Sequence, residues 1–502
     1  MKKAIIIFMV AMLISVAAFA NAPKSGGRLV MALNTEPVGL DPTLVTAFAS
    51  HRVLELVYGG LLRFDEKMNL VPHIASEMEI PNPYTIVFTI REGVRFHDGT
   101  LLTVEDVLFT FNRILDPAVQ SPAASFYAQV SSVETLGANK VIFILKAPVA
   151  SVILPNFATG NSSIISKKFV ESGANLQLAT NGVGPFILKE FVAGNYLHFV
   201  KNPHYFEPGL PYLDELRFVI IPEEISRVSA LKSGNVDLIQ LSEPLNLGQF
   251  PESQWMIDRT PVLSYYLLGF NASRPPLDNP DVRNALNYAI NREAIIQVVT
   301  FGEAMPTGVL NPSLDWAIPP SELPEYTYNP AKAKELLTKA GYPNGFEFSI
   351  TAAQRFNFDK VAQVIQAQLL EVGVRAHINI VEWGIFIANW RESDFDSFVS
   401  MNSGSVEPDI QLNRTFRTGG STNVFQYGNP KVDELLDLGI ETVDQAKRKL
   451  VYEELQRILV ADSPILFLYS PNNIHVGKLS VNGFLTLPTE STVFLKQTWI
   501  DR

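Results

Sequence analysis

The chain of 502 residues contains no cysteine. Disulfide bonds, thiolate metal sites and cysteine nucleophiles are therefore excluded. A lipid anchor attached to a cysteine behind a secretion signal is excluded for the same reason. If the chain is exported, it needs another means of retention, and an outer membrane is the simplest one.

Motifs of metal sites and of common enzyme classes are also missing. The seven histidines include no pair at the i, i+4 spacing of a helical metal site. The one histidine directly beside an acid, His97 before Asp98, fits a turn that ends at Gly99. The sequence has no phosphate-binding loop, no dinucleotide fingerprint and no Gly-x-Ser-x-Gly elbow. We therefore expect no metal, no cofactor and no catalytic activity, although the many acids leave a glycosidase-type carboxylate pair open.

Long apolar runs are confined to the N-terminus. Lys2 and Lys3 precede residues 4–19, which are apolar apart from Ser15, and a small-residue cleavage site ends at Ala20. This pattern is typical of a signal peptide over residues 1–20. The run is shorter than the roughly 20 residues that a membrane-spanning helix needs, so an uncleaved anchor is the less favoured alternative. We expect a periplasmic protein, with secretion as the second option.

Basic residues are outnumbered, since 40 lysines and arginines face 51 acids and give a formal net charge of −11. Loss of Lys2 and Lys3 with the signal takes this charge to −13. Such an acidic surface argues against nucleic acid and against anionic membranes as partners. Removal of 20 residues from 502 leaves 482, which is enough for two or three packed units.

A strand–helix–strand unit occupies the second half of the chain. Residues 346–350 alternate as a strand, residues 359–372 follow a helical pattern that Gly373 ends, and residues 374–380 alternate again. Such a unit predicts two parallel strands joined by a right-handed crossover. With three more helices that start at Asn-Pro pairs and a long helix over about 444–460, the second half indicates an α/β fold.

The loops after these two strands carry charged and aromatic side chains. The first strand is followed by Gln354 and Arg355. The second is followed by Glu382, Trp383 and Gly384. Ligands of open α/β sheets bind outside the carboxyl ends of parallel strands. We therefore expect these loops to hold a small charged organic ligand.

A series of short motifs runs through nearly the whole mature chain. They are Glu36-Pro37 with residues 40–42, residues 88–99 followed by 102–107, then 182–186, 201–205, 213–215, 230–237, 282–286, 288–293 and 340–346. In this order they resemble the large periplasmic solute-binding proteins of ABC importers, the dipeptide- and oligopeptide-binding family that takes up peptides and, in some members, nickel complexes. The stretch 88–107 is the most specific of them.

The resemblance implies a two-lobed periplasmic-binding-protein fold of the large cluster C type. Lobe I is expected over residues 21–265 plus 473–502, with an extra subdomain at about 58–180. Lobe II is expected over residues 266–472. The chain would cross between the lobes near residues 263–271 and 471–476, and the lobes would close around a ligand by a hinge motion. Partners would be membrane permeases with cytoplasmic ATPases, and a monomer suffices.

Site residues carry over from the family one at a time. Gln354 and Arg355 match the pair whose arginine holds the peptide carboxylate in dipeptide binders. Glu382 and Trp383 match a Glu-Trp-Gly turn, in which the tryptophan covers the ligand or packs in the core. On lobe I, Thr46 with Phe48 lies where an early loop of the family lines the cleft.

One departure from the family concerns the ligand amine. Its peptide binders carry an aspartate four residues before a proline in the next loop, whereas this chain has Gly404, or Ser405 if the gap is shifted. Glu407 and Asp409 flank Pro408 and are possible substitutes. An ammonium buried without a counter-charge costs several kcal/mol. The departure therefore favours an anionic ligand, a modified peptide, a sugar or another small organic acid over a peptide with a free amine.

The sequence thus predicts a binding protein of an ABC importer for a peptide-like or other small organic ligand, with a carboxylate as the expected group. A sugar- or oligosaccharide-binding protein, and a sensor or chaperone-type partner that uses the same cleft, remain alternatives. A hydrolase is disfavoured because the sequence offers neither a nucleophile nor an acid pair that stands out.

Overall fold

The computed structural model describes residues 22–45 and 47–501. The predicted signal peptide and Thr46 lie outside these residues, so both stay predictions. Across the described part of the chain, no helix is long and apolar enough to cross a membrane.

Strands of both halves of the chain join in one large mixed sheet. In the described residues the strands are β1 (Arg28–Leu33), β2 (Leu62–Phe64), β3 (Leu70–Pro72), β4 (Ala75–Asn82), β5 (Thr85–Ile90), β6 (Val130–Leu136), β7 (Lys140–Leu145), β8 (Phe186–Val192), β9 (Tyr196–Lys201), β10 (Glu215–Ile220), β11 (Leu238–Leu241), β12 (Trp255–Pro261), β13 (Tyr265–Phe270), β14 (Ala304–Pro306), β15 (Glu347–Ala353), β16 (Arg375–Val381), β17 (Ser397–Asn402), β18 (Ile465–Lys478), β19 (Val481–Asn482) and β20 (Trp499–Ile500). The large sheet has the order β16-β15-β17-β13-β18-β11-β1-β10-β9-β8, with β12 and β14 also paired with β18.

Several helices begin at residues whose side chains cap the helix, whereas others, such as the helix that starts at Phe48, have no side-chain cap. The helices are α1 (Phe48–Val57), α2 (Val104–Leu115), α3 (Ala150–Ile153), α4 (Lys167–Glu171), α5 (Glu224–Lys232), α6 (Pro280–Tyr288), α7 (Arg292–Thr300), α8 (Pro330–Lys339), α9 (Phe358–Glu371), α10 (Trp383–Glu392), α11 (Pro408–Phe416), α12 (Pro430–Glu441) and α13 (Gln445–Asp462). The side chains of Asn279, Asn329 and Asn429 each accept a backbone N–H at the start of a helix whose first residue is proline. The three predicted Asn-Pro helix starts are confirmed.

The predicted strand–helix–strand unit is present. β15 and β16 pair in parallel, with Phe348 opposite Ala376, and α9 connects them. β17 continues the parallel set on the other side of β15. The carboxyl ends of β15 and β16 therefore lie side by side at one edge of the sheet.

β18 connects the two halves of the molecule. Residues 465–469 of this strand pair with β13, and residues 472–478 pair with β12. β18 runs past Pro471, which lacks an N–H but still contributes its carbonyl, and this carbonyl accepts the N–H of Val262 at 3.0 Å. The second connection, residues 262–264, runs beside it between β12 and β13.

Separate hydrophobic cores mark the units of the fold. One core gathers buried side chains between Tyr265 and Tyr469, and we call this part lobe II. A second lies between Leu61 and Val183 and belongs to the extra subdomain. A third surrounds β1 and β10 and includes Leu495 from the C-terminal segment, and we call this part lobe I. The residue boundaries given above for the lobes stay predictions.

Candidate functional site

Arg355 and Trp383 lie together beyond the carboxyl ends of β15 and β16. The guanidinium carbon of Arg355 is 4.8 Å from the ring centroid of Trp383 and 4.8 Å from that of Phe356. A guanidinium at this distance from an aromatic face is attracted by the ring quadrupole. Two loops far apart in the chain thus form one positively charged aromatic corner on lobe II.

The guanidinium of Arg355 is exposed. Among residues 22–45 and 47–501, no carboxylate lies within 4.0 Å of it and no side-chain hydrogen bond involves it. Its N–H donors therefore remain available to an anion. A planar carboxylate matches this fork with two parallel hydrogen bonds.

The ring of Trp383 has firm support. It stacks on the buried Phe386, with centroids 5.4 Å apart and an interplanar angle of 10°. Phe356 approaches Trp383 edge-on at 5.9 Å. The tryptophan is half-buried, so part of its surface packs in lobe II and part stays open beside Arg355.

Glu382 and Gln354 have different surroundings. Glu382 is the N-cap of α10, and its carboxylate accepts the N–H of Gly384 at 2.7 Å. The sequence analysis predicted a turn at Glu382-Trp383-Gly384 and did not predict α10. Gln354 is exposed, and no side-chain hydrogen bond to another described residue holds it. Contact of either side chain with a ligand stays a prediction.

Gly404 lies against the connection between the lobes. A Cβ atom added to Gly404 would come within 2.1 Å of the carbonyl oxygen of Leu263. The position therefore has no room for the aspartate of the family's peptide binders. The adjacent Ser405 is used locally, because its hydroxyl accepts the N–H of Glu407 at 3.1 Å.

The two acids beside Pro408 are buried and already have partners. Arg448 donates to both carboxylate oxygens of Glu407, at 2.9 Å for the Nη1 contact. Asp409 accepts the side-chain amide of Asn413 at 2.9 Å. Glu407 and Asp409 are 2% and 7% exposed. Neither carboxylate is placed to replace the missing amine partner.

Lobe I contains a cavity of about 330 Å³. It is lined by α1, by subdomain residues around 58–64 and 126–163, and by the C-terminal segment 487–493. Phe48, predicted from the early loop, lines it and is 43% exposed. Arg355, Trp383 and the other predicted residues of lobe II do not line it, so the two groups of candidate residues lie apart.

The cavity contains an arginine that the sequence analysis did not select. Arg52 is 6% exposed, and its guanidinium carbon lies 5.0 Å from the ring centroid of Phe48. Its Nη1 donates to the side-chain oxygen of Gln240 at 3.2 Å. Its Nε–H has no hydrogen-bond partner in the described part of the chain. One turn of helix separates Arg52 from Phe48, and this spacing was the only signal for it in the sequence.

Two carboxylates line the same cavity and differ in their use. Glu55 accepts hydrogen bonds from the hydroxyl of Ser491 and from the N–H and hydroxyl of Thr492. Burial outweighs these bonds and raises the pKa of Glu55 to about 7. The carboxylate of Glu490 has no hydrogen bond or ion pair within 4.0 Å to another described residue.

The other titratable groups of this cavity carry little unbalanced charge. Arg63 pairs with Glu207 at 2.6 Å. Burial lowers the pKa of His51 and of His73, so both rings are neutral near pH 7. Arg63 keeps one unpartnered Nε–H, and Arg52 and Glu490 are charged groups of the cavity that form no ion pair with a described residue.

An α/β fold of two lobes linked by β18 and residues 262–264, with arginine and aromatic side chains on both sides, is typical of solute-binding proteins. A family model described as "Bacterial extracellular solute-binding proteins, family 5 Middle" matches residues 69–423. The chain belongs to this family, which confirms the predicted resemblance and the two-lobed fold class.

Curated relatives cover almost the whole chain. The oligopeptide-binding protein AppA of Bacillus subtilis is 28% identical, over 96% of this chain and 93% of its own. The glutathione-binding protein GsiB of Escherichia coli is 29% identical, over 96% of each chain.

Solved structures of relatives differ in how well they superpose. HbpA2 of Haemophilus parasuis is 26% identical, covers 95% of this chain and all of its own, and gives a TM-score of 0.87. AppA of B. subtilis in complex with a nonapeptide is also 26% identical, covers 96% and 100%, and gives 0.68. Equal sequence identity therefore accompanies different degrees of structural superposition.

Proposed function

We propose that this protein is the extracytoplasmic solute-binding component of an ABC importer, located in the periplasm, and that it carries a peptide-like ligand with a carboxylate. Membership of the solute-binding family supports the role in transport. The names of AppA and GsiB support a peptide-like cargo over the sugar alternative. Delivery requires only binding and lobe closure, so no catalytic step is needed.

The position of Arg355 is the observation that supports a carboxylate group on the ligand. It lies at the sheet edge where α/β proteins bind ligands, it rests on two aromatic rings, and no acid of the described chain neutralises it. A charge-assisted hydrogen bond to an anion contributes about 1.5–3 kcal/mol. We assign the ligand carboxylate to this guanidinium.

We propose that the two lobes are in an open arrangement in this structure. The lobe I cavity is lined without any contribution from Arg355 or Trp383. The better superposition on HbpA2 than on peptide-bound AppA, at the same identity, supports an arrangement unlike that of the peptide complex. Closure about β18 and residues 262–264 would bring the lobe II corner toward the lobe I cavity.

The test is the variant Arg355→Gln. Ligand that is retained on purification is identified by native mass spectrometry, and its affinity is measured by calorimetry. The variant should bind about 10- to 150-fold more weakly, because it loses a contribution of about 1.5–3 kcal/mol. Arg391→Gln is the matched control, since Arg391 is an exposed arginine at the end of α10. Equal loss in both variants, or no loss in Arg355→Gln, would contradict the role of Arg355.

A further inference from the structure

We propose that Glu490 of lobe I holds the ammonium group of the peptide ligand, in place of the aspartate that peptide binders of this family carry in lobe II. The inference rests on the proposed function and defines the ligand further: a peptide whose amino terminus is free. It reverses the expectation that the missing acid at residue 404 favours a ligand without an amine.

Lobe II offers no free acid near residue 404 among the described residues. Gly404 has no space for a side chain against Leu263. Glu407 is held by Arg448 from both oxygens, and Asp409 by Asn413. An ammonium that enters this region must find its counter-charge elsewhere.

The turn that carries Glu490 lies against the connection between the lobes. The N–H of Leu263 donates to the carbonyl of Pro488 at 3.0 Å, while its own carbonyl faces Gly404. The turn that carries Glu490 and the loop that carries Gly404 thus contact the same residue from two sides. Glu490 follows two residues after Pro488 and lines the lobe I cavity, so this cavity lies beside the connection against which Gly404 packs.

The turn over residues 487–492 holds the backbone of Glu490 in a fixed conformation. The N–H of Glu490 donates to the carbonyl of Leu487 at 2.7 Å, and the N–H of Leu487 donates to that of Ser491 at 3.1 Å. Glu490 has φ of +62°, in the left-handed region that few non-glycine residues adopt. Glu55 anchors the next two residues through Ser491 and Thr492. The turn is therefore fixed, while the Glu490 carboxylate keeps its acceptors.

Arg52 acts electrostatically on the Glu490 carboxylate, yet the two groups form no ion pair within 4.0 Å. The Nη2 group of Arg52 forms no hydrogen bond to a described residue, and Phe48 and Leu487 provide apolar walls. The amino end of a peptide matches this acceptor, this donor and these apolar walls. Its ammonium bonds to Glu490, its first carbonyl oxygen accepts from Arg52, and its first side chain enters the cavity.

The test uses a synthetic pool of random di- to pentapeptides, prepared with free amines and, separately, with N-acetylated amines. Each pool is mixed with the full-length mature protein, and bound peptides are quantified by mass spectrometry after gel filtration. The wild-type protein should retain free-amine peptides at least tenfold over acetylated ones. Glu490→Gln should lose this preference, while Glu490→Asp should keep part of it. Glu171→Gln, a change at an exposed acid outside the cavity, should behave as the wild type.

Each contrary result points to a different error. Equal retention of both pools by the wild type, or an undiminished preference in Glu490→Gln, would overturn the role of Glu490 and leave a peptide carrier in place. Retention of neither pool by the wild type would overturn the proposed function together with the inference. Circular dichroism of Glu490→Gln separates a loss of binding from a loss of folding.

Discussion

Two arginines stand on the two sides of the candidate cleft, and the structure holds them in opposite ways. Arg355 of lobe II is exposed and rests on the rings of Phe356 and Trp383. Arg52 of lobe I is 6% exposed and is fixed by Gln240. The first keeps all of its donors for a ligand anion. The second is oriented before a ligand arrives, because one of its five N–H groups donates to Gln240.

The acids of the two lobes show the opposite pattern, because the acid of lobe II is paired with a described residue and the acid of lobe I is not. The carboxylate of Glu407 in lobe II is paired with Arg448. The carboxylate of Glu490 in lobe I has no such partner in the described residues. A ligand with charges at both ends would therefore place its carboxylate on lobe II and its ammonium on lobe I. Such a ligand gains both contacts only when the lobes close, so binding and closure are coupled.

The largest effect is expected from Glu407→Gln, which tests whether this acid is structural. The change leaves the buried guanidinium of Arg448 without its counter-charge, and breaking a buried pair costs about 3–5 kcal/mol of unfolding free energy. Chemical denaturation measures it. Glu434→Gln, which removes an exposed pair with Lys431, should cost less than about 1 kcal/mol. A stable Glu407→Gln protein with weakened ligand binding would reverse the assignment of the two lobes.

A smaller effect is expected from the pH dependence of lobe I stability. Burial raises the pKa of Glu55 to about 7, above the 4.5 of an unperturbed glutamate. The folded state then binds more protons than the unfolded state between these values, so stability falls as the pH rises from about 5 to 8. Linkage puts the fall at about 1–3 kcal/mol.

Glu55→Gln should flatten this part of the stability curve, measured by denaturation at several pH values. Glu382→Gln serves as the control, because Glu382 is an exposed helix cap. An unchanged slope in Glu55→Gln would show that this carboxyl group is ionised throughout, and the buried character of the lobe I cavity would need revision.

The sequence predicted the lobe II corner better than the lobe I cavity, for a physical reason. Arg355 and Trp383 each follow a strand whose alternating pattern is visible, and parallel strands bring their carboxyl ends together. The lobe I cavity combines α1, the subdomain and residues 487–493. No local periodicity connects such distant segments, so Arg52 and Glu490 gave no signal as a pair.

Local patterns failed where tertiary contacts outweighed them. A proline is disfavoured inside a paired strand because it lacks an N–H, yet the carbonyl of Pro471 bonds to Val262 and β18 runs through to lobe I. Gly404 was seen as the absence of an acid, and the structure adds that Leu263 leaves room for glycine alone. In both cases the deciding contact comes from the connection between the lobes, which only the folded chain assembles.

The smallest effect is expected from Trp383→Leu, which tests whether the contact between the tryptophan ring and Arg355 increases the affinity for the ligand. The change removes one cation–π contact, worth about 0.5–1 kcal/mol at an exposed site, so affinity for the retained ligand should fall about two- to fivefold in calorimetry. Trp390→Leu is the control on the same helix, since Trp390 packs against the core of lobe II. A loss in Trp383→Leu as large as that in Arg355→Gln would mean that the tryptophan contacts the ligand directly, and the arginine would then act beside it rather than alone.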